Sequence, residues 1–566
     1  MMDLSAARHR AKYVARRLAY RASRTLGIDA GDRLGDYRTV LALAQSERVR
    51  YTGEPDGDRR VLFFTMQGGM LQFVSFELAL RALLRERGIG SDMVVCDRFL
   101  DGCALKNEAQ SPEMEASVCA ACYRRGADAV AATGSPMLRA SETLDAEARA
   151  WLGEVEPQAE AMPYAKLVAW EVDAVPIGQI AEAAALRYLR LGSIERAPTE
   201  AERAVLLRYV RSSLRTQAVA ESLLRRGRPE FAVLTHGIYE SWAPILAVLR
   251  REGVPALVYD QSSVYREAYV AAWDAITHCP DLDATFREEA DAPLSAEETA
   301  ELRDYLQSRR ANTRDRFKYN HAPAESGDAL RARLGVPAGA VCFAMFTNLL
   351  WDAATVGRDV CFPSQAEWIR RTVAYFAEHP DRYLLLRTHP AERSRGTKQS
   401  VEDVVRAAFP ELPANVMFAS DPSINAYSVY DAIDAGIVNT STAGLELALL
   451  GTPVVVASAA HYAKKGFTAD PDSDADYFAA LDAVGRGDRL SEPQVRDAER
   501  YAHLFWFRYH YKLPLVREAA GGGVEAVALD ALSADEQARL GAWLDAVLAR
   551  RPVLAPRAPA GAGVGP

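Results

Sequence analysis

The sequence predicts an α/β protein with two Rossmann-like domains, a helical N-terminal segment and a helical insertion. Apolar runs such as Val61–Thr65 and Val341–Phe346 are each followed by a polar loop, as is typical of buried parallel strands. Such units recur in both halves of the chain, and 566 residues are too many for one ordinary domain. The predicted parts are a basic helical segment (1–58), the first Rossmann-like domain with a cysteine group and the helical insertion (59–280), a helical connector (281–335), the second Rossmann-like domain (336–490), C-terminal helices that pack back (491–551) and a disordered tail (552–566).

Composition excludes several classes of function. The net charge of −9 argues against generic binding to nucleic acid. No apolar run approaches the roughly 20 residues that a membrane span needs, and no secretory signal peptide is visible. We therefore expect a cytoplasmic protein whose seven cysteines are reduced.

The N-terminal segment allows two interpretations. A basic amphipathic helix can lie on an anionic membrane surface, which predicts peripheral contact with the inner membrane. The alternative is a solvated helix that packs on its own domain, favoured by the small alanine side chains on its non-basic face. The basic residues of this predicted helix are Arg8, Arg10, Lys12, Arg16, Arg17, Arg21 and Arg24.

A cysteine group follows the first α/β unit. Cys119 and Cys122 form a C-A-A-C pair, preceded by Cys96 and Cys103. Four thiolates could hold a structural zinc ion, although the first pair is spaced more widely than usual. The alternative is four reduced cysteines, some of them in the core.

Polar loops follow three predicted strands of the second domain. Because ligands of open α/β sheets bind beyond the carboxyl ends of the strands, these loops predict one shared crevice. The last loop also begins a helix, whose N-terminus attracts anions. The alternative is ordinary helix capping and a His-Pro turn. The loop residues are Thr347, Asn348 and Asp352 after the strand 341–346, Arg387, His389 and Pro390 at the end of 383–387, and Thr440, Ser441 and Thr442 after 434–438.

These motifs resemble a known family. T-N-L-L-W-D (347–352), R-T-H-P-A-E (387–392), N-T-S-T-A-G-L-E (439–446), G-T-P-V (451–454) and K-G-F-T (465–468) look like bacterial capsule polysaccharide biosynthesis proteins. That family includes Kdo transferases and is similar in layout to bacterial sialyltransferases with the GT-B arrangement of two Rossmann-like domains. The resemblance extends from Val341 to Tyr477, and the N-terminal half matches only in general layout.

The resemblance implies roles for these residues. The second domain would bind a nucleotide-sugar donor, with His389 on the phosphate and Ser441 and Thr442 capping it. Glu446 would orient the ribose or the phosphate loop. Apart from the resemblance, Lys464 or Lys465 could neutralise further phosphate charge, and the alternative is that the two lysines are a solvated surface pair. The resemblance suggests a CMP-linked donor but does not require one, because other members of the family can use other nucleotide sugars. No D-x-D motif stands at a strand end, so we expect no metal cofactor in catalysis.

The first domain supplies the candidates for catalysis. An inverting transfer needs a base that takes the proton of the acceptor hydroxyl, and His, Asp or Glu within hydrogen-bond reach can serve. His236 and Glu240 follow the strand 231–234, and Asp260 follows 256–259. The alternative is that His236 belongs to a turn and that Glu240 caps the next helix.

The predicted function is transfer of a sugar from a nucleotide donor to a glycan or lipid-linked acceptor of a surface polysaccharide. Two alternatives remain at this point: a nucleotide-sugar 2-epimerase, which needs no acceptor, and a non-catalytic subunit of polysaccharide assembly.

Overall fold

The structure is a computed structural model that describes residues 55, 57–106, 112–194, 196–265, 267–315, 322–353, 356–518, 524–527 and 531–557. The predicted basic helix near the N-terminus lies outside the described residues, and so does most of the C-terminal tail. Among the helices that the structure describes, none combines the length and the apolar character needed to cross a membrane.

Strands alternate with helices along most of the chain. In chain order the strands are β1 (Arg60–Thr65), β2 (Gly90–Val95), β3 (Met137–Arg139), β4 (Phe231–Thr235), β5 (Ala256–Gln261), β6 (Ala268–Trp273), β7 (Val341–Phe346), β8 (Arg382–Arg387), β9 (Val416–Phe418), β10 (Ala435–Val438), β11 (Val454–Val456), β12 (Tyr511–Lys512), β13 (Val516–Glu518) and β14 (Val524–Ala526). The helices are α1 (Leu71–Glu86), α2 (Pro112–Ala132), α3 (Ala140–Thr143), α4 (Ala146–Ala161), α5 (Tyr164–Val168), α6 (Ile177–Leu189), α7 (Glu200–Arg226), α8 (Ala243–Arg251), α9 (Asp283–Glu288), α10 (Ala296–Arg310), α11 (Gly327–Leu334), α12 (Gln365–Glu378), α13 (Ala391–Ser394), α14 (Val401–Ala408), α15 (Ala426–Ala432), α16 (Ala443–Leu449), α17 (Asp474–Asp482), α18 (Glu492–His503) and α19 (Ala534–Leu548), and a π-helical turn spans Leu504–Tyr509.

Two sheets organise the molecule. The first has the strand order β12-β6-β5-β4-β1-β2-β3, in which β6 runs antiparallel to both of its neighbours and the other pairs are parallel. The second has the order β11-β10-β7-β8-β9 and is parallel throughout. All carboxyl ends of the second sheet therefore lie at one edge, which gathers the loops that follow its strands.

Both sheets are buried on both faces. In β1, Val61 and Phe63 pack into one apolar cluster while Leu62 and Phe64 pack into another. Alternation of side chains along a strand sends neighbours to opposite faces, and an apolar run without polar interruptions fits a strand covered on both sides. This confirms the predicted fold class of two Rossmann-like domains.

The helical insertion is centred on α7. Its first turn is fixed by a capping box, in which the side chains of Thr199 and Glu202 accept hydrogen bonds from each other's backbone N–H groups. Buried residues along α7, such as Leu214 and Ala218, belong to the cluster on one face of the first sheet. The insertion is therefore part of the first domain's core.

The C-terminal region returns to the first domain. The predicted C-terminal helices do not run without interruption, because residues 492–512 divide into α18, the π-helical turn and β12. The helix ends because Tyr511 pairs with Tyr269 on β6, which requires an extended backbone. Trp543 of α19 then packs edge-on against Phe76, with ring centroids 6.0 Å apart.

The start of the tail differs from the expectation of disorder. Residues 552–557 are described and make specific contacts. The backbone N–H of Ala555 donates to the carbonyl of Arg508 at 2.8 Å, and Arg557 forms an ion pair with Glu298 at 2.6 Å. Residues 552–557 of the predicted disordered tail are therefore ordered against the rest of the protein.

Candidate functional site

A cavity of about 440 Å³ lies between the two domains. This volume falls within the roughly 300–1,000 Å³ that small-molecule sites occupy. The loops after β7, β8 and β10 line it from the second domain, and Asp260 and Gln261 at the end of β5 line it from the first. The three polar loops predicted to share one crevice do lie around one cavity.

The loops after β7 and β10 touch each other. The side-chain oxygen of Asn348 accepts a hydrogen bond from the backbone N–H of Thr440 at 3.4 Å. Thr347 is buried, and its hydroxyl has no protein partner among the described residues. A buried hydroxyl that lines a cavity without a partner is suited to a polar ligand.

Arg387 brings positive charge to the cavity. Its side chain is buried, and one guanidinium nitrogen donates to the carbonyl of Ala419 at 2.7 Å. Within the described part of the chain it forms no ion pair with a carboxylate, and burial lowers its pKa. A buried cation without a counter-ion is costly, so an anionic ligand would be stabilised beside it.

His389 presents a hydrogen-bond donor. Its Nδ1 accepts from the backbone N–H of Ala391 at 3.1 Å, so a neutral ring carries its proton on Nε2. Burial is the main cause that lowers the pKa of His389, which keeps the ring neutral. Pro390 follows directly and also lines the cavity.

The start of α16 forms the third wall. Thr440, Ser441 and Thr442 all line the cavity. The Thr442 side chain makes no capping hydrogen bond to the helix, and the Ser441 hydroxyl accepts from the backbone N–H of Ala443 at 3.3 Å. Helix capping therefore does not account for the Thr442 hydroxyl.

Glu446 is held by an ion-pair network that the sequence did not predict. One of its carboxylate oxygens accepts from Arg309 at 2.8 Å and the other accepts from the hydroxyl of Tyr427. Arg309 also pairs with Asp315 at 2.7 Å. Arg309 lies on α10 in the connector. Because this helix carries many charged residues, its sequence does not indicate which arginine lines the cavity.

The π-helical turn supplies an aromatic wall. Phe505, Trp506 and Tyr509 line the cavity, and so does His510, which follows the turn. π-Helical turns are rare and often lie at functional sites. The sequence shows that aromatic residues cluster over 501–511, but it does not show which of them line the cavity.

Asp352 lies where the two domains meet. It lines the cavity, its carboxylate accepts from the hydroxyl of Tyr239 at 3.3 Å, and it approaches Arg187 of the helical insertion at 3.8 Å. This predicted nucleotide residue thus also joins the loops of the two domains.

Three predicted site residues do not line the cavity. His236 packs edge-on against Trp242, with ring centroids 4.5 Å apart, and Glu240 is fully buried within the first domain. Lys465 is buried, and its ammonium group forms an ion pair with Asp283 at 2.6 Å. All three pack or pair away from the cavity, and their roles beside the substrates stay predictions. Asp260 is the predicted base that reaches the cavity.

Glu240 makes stability depend on pH. Burial raises its pKa to about 7 from an ordinary value of 4.5, so the folded state disfavours the carboxylate. Below pH 4.5 Glu240 is protonated in both the folded and the unfolded protein, so its burial costs no ionisation free energy. This cost grows as the pH rises from 4.5 to 7 and levels off above pH 7 at about 3 kcal/mol. We expect Glu240→Gln to raise the free energy of unfolding at pH 8 and to leave it nearly unchanged at pH 4.5.

Urea denaturation at both pH values measures this effect. Glu252→Gln serves as the control, since its carboxylate is exposed and pairs with Arg251 on the surface. Equal stability of wild type and Glu240→Gln at pH 8 would contradict the prediction.

The cysteine group shows no metal geometry. Among the residues described, no three His, Cys, Asp or Glu side chains are arranged to hold a metal ion. The cysteines are free, and Cys122 accepts a hydrogen bond from the backbone N–H of Gly69 at 3.2 Å. Burial raises the pKa of Cys122 to about 12, which favours the thiol over a thiolate ligand. Zinc binding by Cys96, Cys103, Cys119 and Cys122 stays a prediction without geometric support.

Comparison with solved structures gives loose matches. A KpsC β-Kdo 2,4 transferase of Thermosulfurimonas dismutans is 14% identical, with 53% of this chain and 85% of that chain covered and a TM-score of 0.33. The β-Kdo 2,7 transferase of the same organism's KpsC is 14% identical over 50% of this chain and 80% of that one, with a TM-score of 0.29. The glycosyltransferase SnogD of Streptomyces nogalater is 15% identical over 79% and 95%, with a TM-score of 0.22.

Comparison of the sequence with curated proteins finds no match to the chain. Comparison with models of protein families finds a match in the second domain. Residues 342–503, which include all three loops of the cavity, match the model of a protein family. The model is that of the capsule polysaccharide biosynthesis proteins, so the resemblance predicted from the motifs of this part of the chain is confirmed.

Proposed function

We propose that the protein is a glycosyltransferase that moves a sugar from a nucleotide-activated donor to a growing capsular or related surface glycan. One observation carries the proposal: Arg387, His389 and Thr347 supply a cation and two hydrogen-bond donors to one side of an interdomain cavity. Such a group suits the phosphate of a nucleotide. The family match of residues 342–503 supports a role in capsule synthesis.

The donor side would act on the leaving group. When the bond between sugar and phosphate breaks, negative charge develops on the phosphate oxygens. Arg387 and the Nε2–H of His389 would stabilise that charge without reorganising, because both are already held by hydrogen bonds to the backbone. The hydroxyls of Ser441 and Thr442 would add further donors.

The acceptor side would activate a hydroxyl. Asp260 lies next to the last residue of β5 and lines the cavity from the first domain. Its Oδ1 accepts from the backbone N–H of Gln261 at 2.7 Å, which fixes the carboxylate. Asp260 would accept the proton of the acceptor hydroxyl as it attacks the anomeric carbon.

The acceptor and the location are part of the same proposal. A glycan or a lipid-linked saccharide would enter from the first domain, and nucleotide sugars would be supplied in the cytoplasm. A lipid-linked acceptor would bring the protein to the cytoplasmic face of the inner membrane. The basic segment at residues 1–58 would provide peripheral contact there.

Turnover with a donor panel tests the reaction. The probes are CMP-N-acetylneuraminate, UDP-glucose, GDP-mannose and dTDP-glucose, each with and without glycolipid extracted from cells that make the protein. We expect sugar transfer only with the extract. Asp260→Asn should lower the rate at least about 100-fold, as loss of a general base does, while nucleotide affinity stays within about 3-fold.

Two results would contradict the proposal. Conversion of the donor sugar at the same rate without extract would indicate an epimerase. Full activity of Asp260→Asn would remove Asp260 as the base, and Glu267→Gln, a change on the same domain outside the cavity, provides the baseline for that comparison.

A further inference from the structure

A second group of polar atoms lines the cavity without protein partners. His461, His510 and Thr277 are 6%, 5% and 4% exposed, and all three line the cavity. In the described part of the chain, Nε2 of His461, Nε2 of His510 and the hydroxyl of Thr277 have no hydrogen-bond partner. Buried polar atoms are normally paired, so three of them beside one cavity indicate a polar ligand.

These residues form one cluster around the π-helical turn. The ring of Phe505 stacks on His461, with centroids 4.0 Å apart, and meets the edge of His510 at 5.0 Å. The hydroxyl of Tyr509 donates to the carbonyl of Thr277 at 3.0 Å. The aromatic turn therefore holds the three polar groups in fixed positions.

The cluster spans the boundary between the two domains. His461 follows β11 of the second sheet, whereas Thr277 follows β6 and His510 precedes β12, both in the first sheet. In a transfer between a donor-binding domain and an acceptor-binding domain, the group that moves must lie at this boundary. The place of the cluster therefore suits the transferred sugar better than the nucleotide.

The tautomer of His461 follows from its neighbour. The Tyr501 hydroxyl donates its only hydrogen to the backbone carbonyl of His461, so it can only accept from the ring. Nδ1 of His461 lies 3.0 Å from that hydroxyl oxygen and must donate to it. A neutral ring then has a lone pair on Nε2, which makes this atom a hydrogen-bond acceptor.

Burial and a nearby arginine keep the ring neutral. Burial is the main cause that lowers the pKa of His461 well below 6.5, and Arg358 acts in the same direction. A base of such low pKa gains little by taking a proton from a hydroxyl. Binding of a hydroxyl is therefore the better role for His461, and proton removal is left to Asp260.

We propose that His461, His510 and Thr277 bind hydroxyl groups of the donor sugar, and that Nε2 of His461 accepts a hydrogen bond from one of them. The inference rests on the proposed function and adds a specificity residue to it. Sugar hydroxyls both donate and accept, which matches a bare ring nitrogen beside a threonine hydroxyl.

Paired variants test the role of His461. Asparagine places an amide near Nδ1 and can keep the contact with Tyr501, but it leaves nothing at Nε2. Glutamine places an amide oxygen near Nε2. Isothermal titration of each variant with the four nucleotide sugars named above, and with CMP, UDP, GDP and dTDP alone, separates contacts to the sugar from contacts to the nucleotide.

We expect His461→Asn to weaken binding of the matching nucleotide sugar at least about 10-fold while the parent nucleotide stays within about 2-fold. His461→Gln should recover most of the loss. His379→Asn is the control, because His379 is the C-terminal cap of α12 and does not line the cavity. Thermal melting of each variant checks that the fold is retained.

The other outcomes overturn the inference in distinct ways. Equal weakening of nucleotide and nucleotide sugar would place His461 on the nucleotide, and no weakening of either would mean that it touches no ligand. Failure of wild type to bind any of the eight compounds would overturn the proposed function together with this inference.

Discussion

Replacing Arg309 with methionine is expected to lower the free energy of unfolding by about 3–5 kcal/mol. Arg309 donates to Glu446 at 2.8 Å and to Asp315 at 2.7 Å, and Glu446 is only 4% exposed. The change leaves two carboxylates without their cation in a poorly solvated place. Breaking a buried pair from one side is costly because the remaining charge is uncompensated. Urea denaturation at pH 7.5 measures the loss.

The neighbouring residue provides a matched control. Arg310 lies on the same helix and pairs with Asp431, but the two side chains are 45% and 33% exposed. Arg310→Met should therefore change stability by no more than about 1 kcal/mol. Adding Glu446→Gln to Arg309→Met should recover part of the loss, since it removes one unpaired charge. Equal losses for Arg309→Met and Arg310→Met would contradict this account of the network.

Replacing His389 with alanine is expected to weaken nucleotide binding by about 10- to 100-fold. The proposed contact is a hydrogen bond from Nε2–H to a charged phosphate oxygen, and such bonds contribute about 1.5–3 kcal/mol. His389→Gln can place an amide N–H near the same point and should lose less than half of that free energy. Isothermal titration with the nucleotide that binds wild type measures both variants.

A second histidine serves as the control for this prediction. His379 caps α12, and its Nδ1 lies 2.7 Å from the carbonyl of Tyr375. His379→Ala should leave nucleotide affinity unchanged, although it can lower stability. If His389→Ala binds as tightly as wild type, the loop after β8 is only a turn, as the simpler interpretation of the sequence holds.

Local patterns predicted the second domain well. Val341–Phe346 was predicted as a strand with these same bounds, and the loops after β7, β8 and β10 line one cavity as expected. These elements could be predicted because each strand is a short apolar run that is followed directly by a polar loop. Parallel topology then brings the loops together without further information from the sequence.

Residues that reach the cavity from distant segments were not predicted. Arg309 arrives from the connector, and His510 arrives from a turn that leads back to the first sheet. Nothing in the neighbouring residues reveals such long-range approach. His236 is the opposite case: it follows a strand of the first sheet, yet its ring packs against Trp242 and does not line the cavity. A position after a strand therefore suggests a site residue but does not fix the direction of its side chain.

Titration of the wild-type protein with CMP, UDP, GDP and dTDP tests most directly the claim that the cavity is a nucleotide site. We expect that one of the four binds at one site per chain with a Kd in the micromolar range, and that Arg387→Met weakens this binding at least about 10-fold. Absence of binding by all four up to about 1 mM would contradict the claim. The loops after β7, β8 and β10 would then be only the turns and helix caps of an α/β domain.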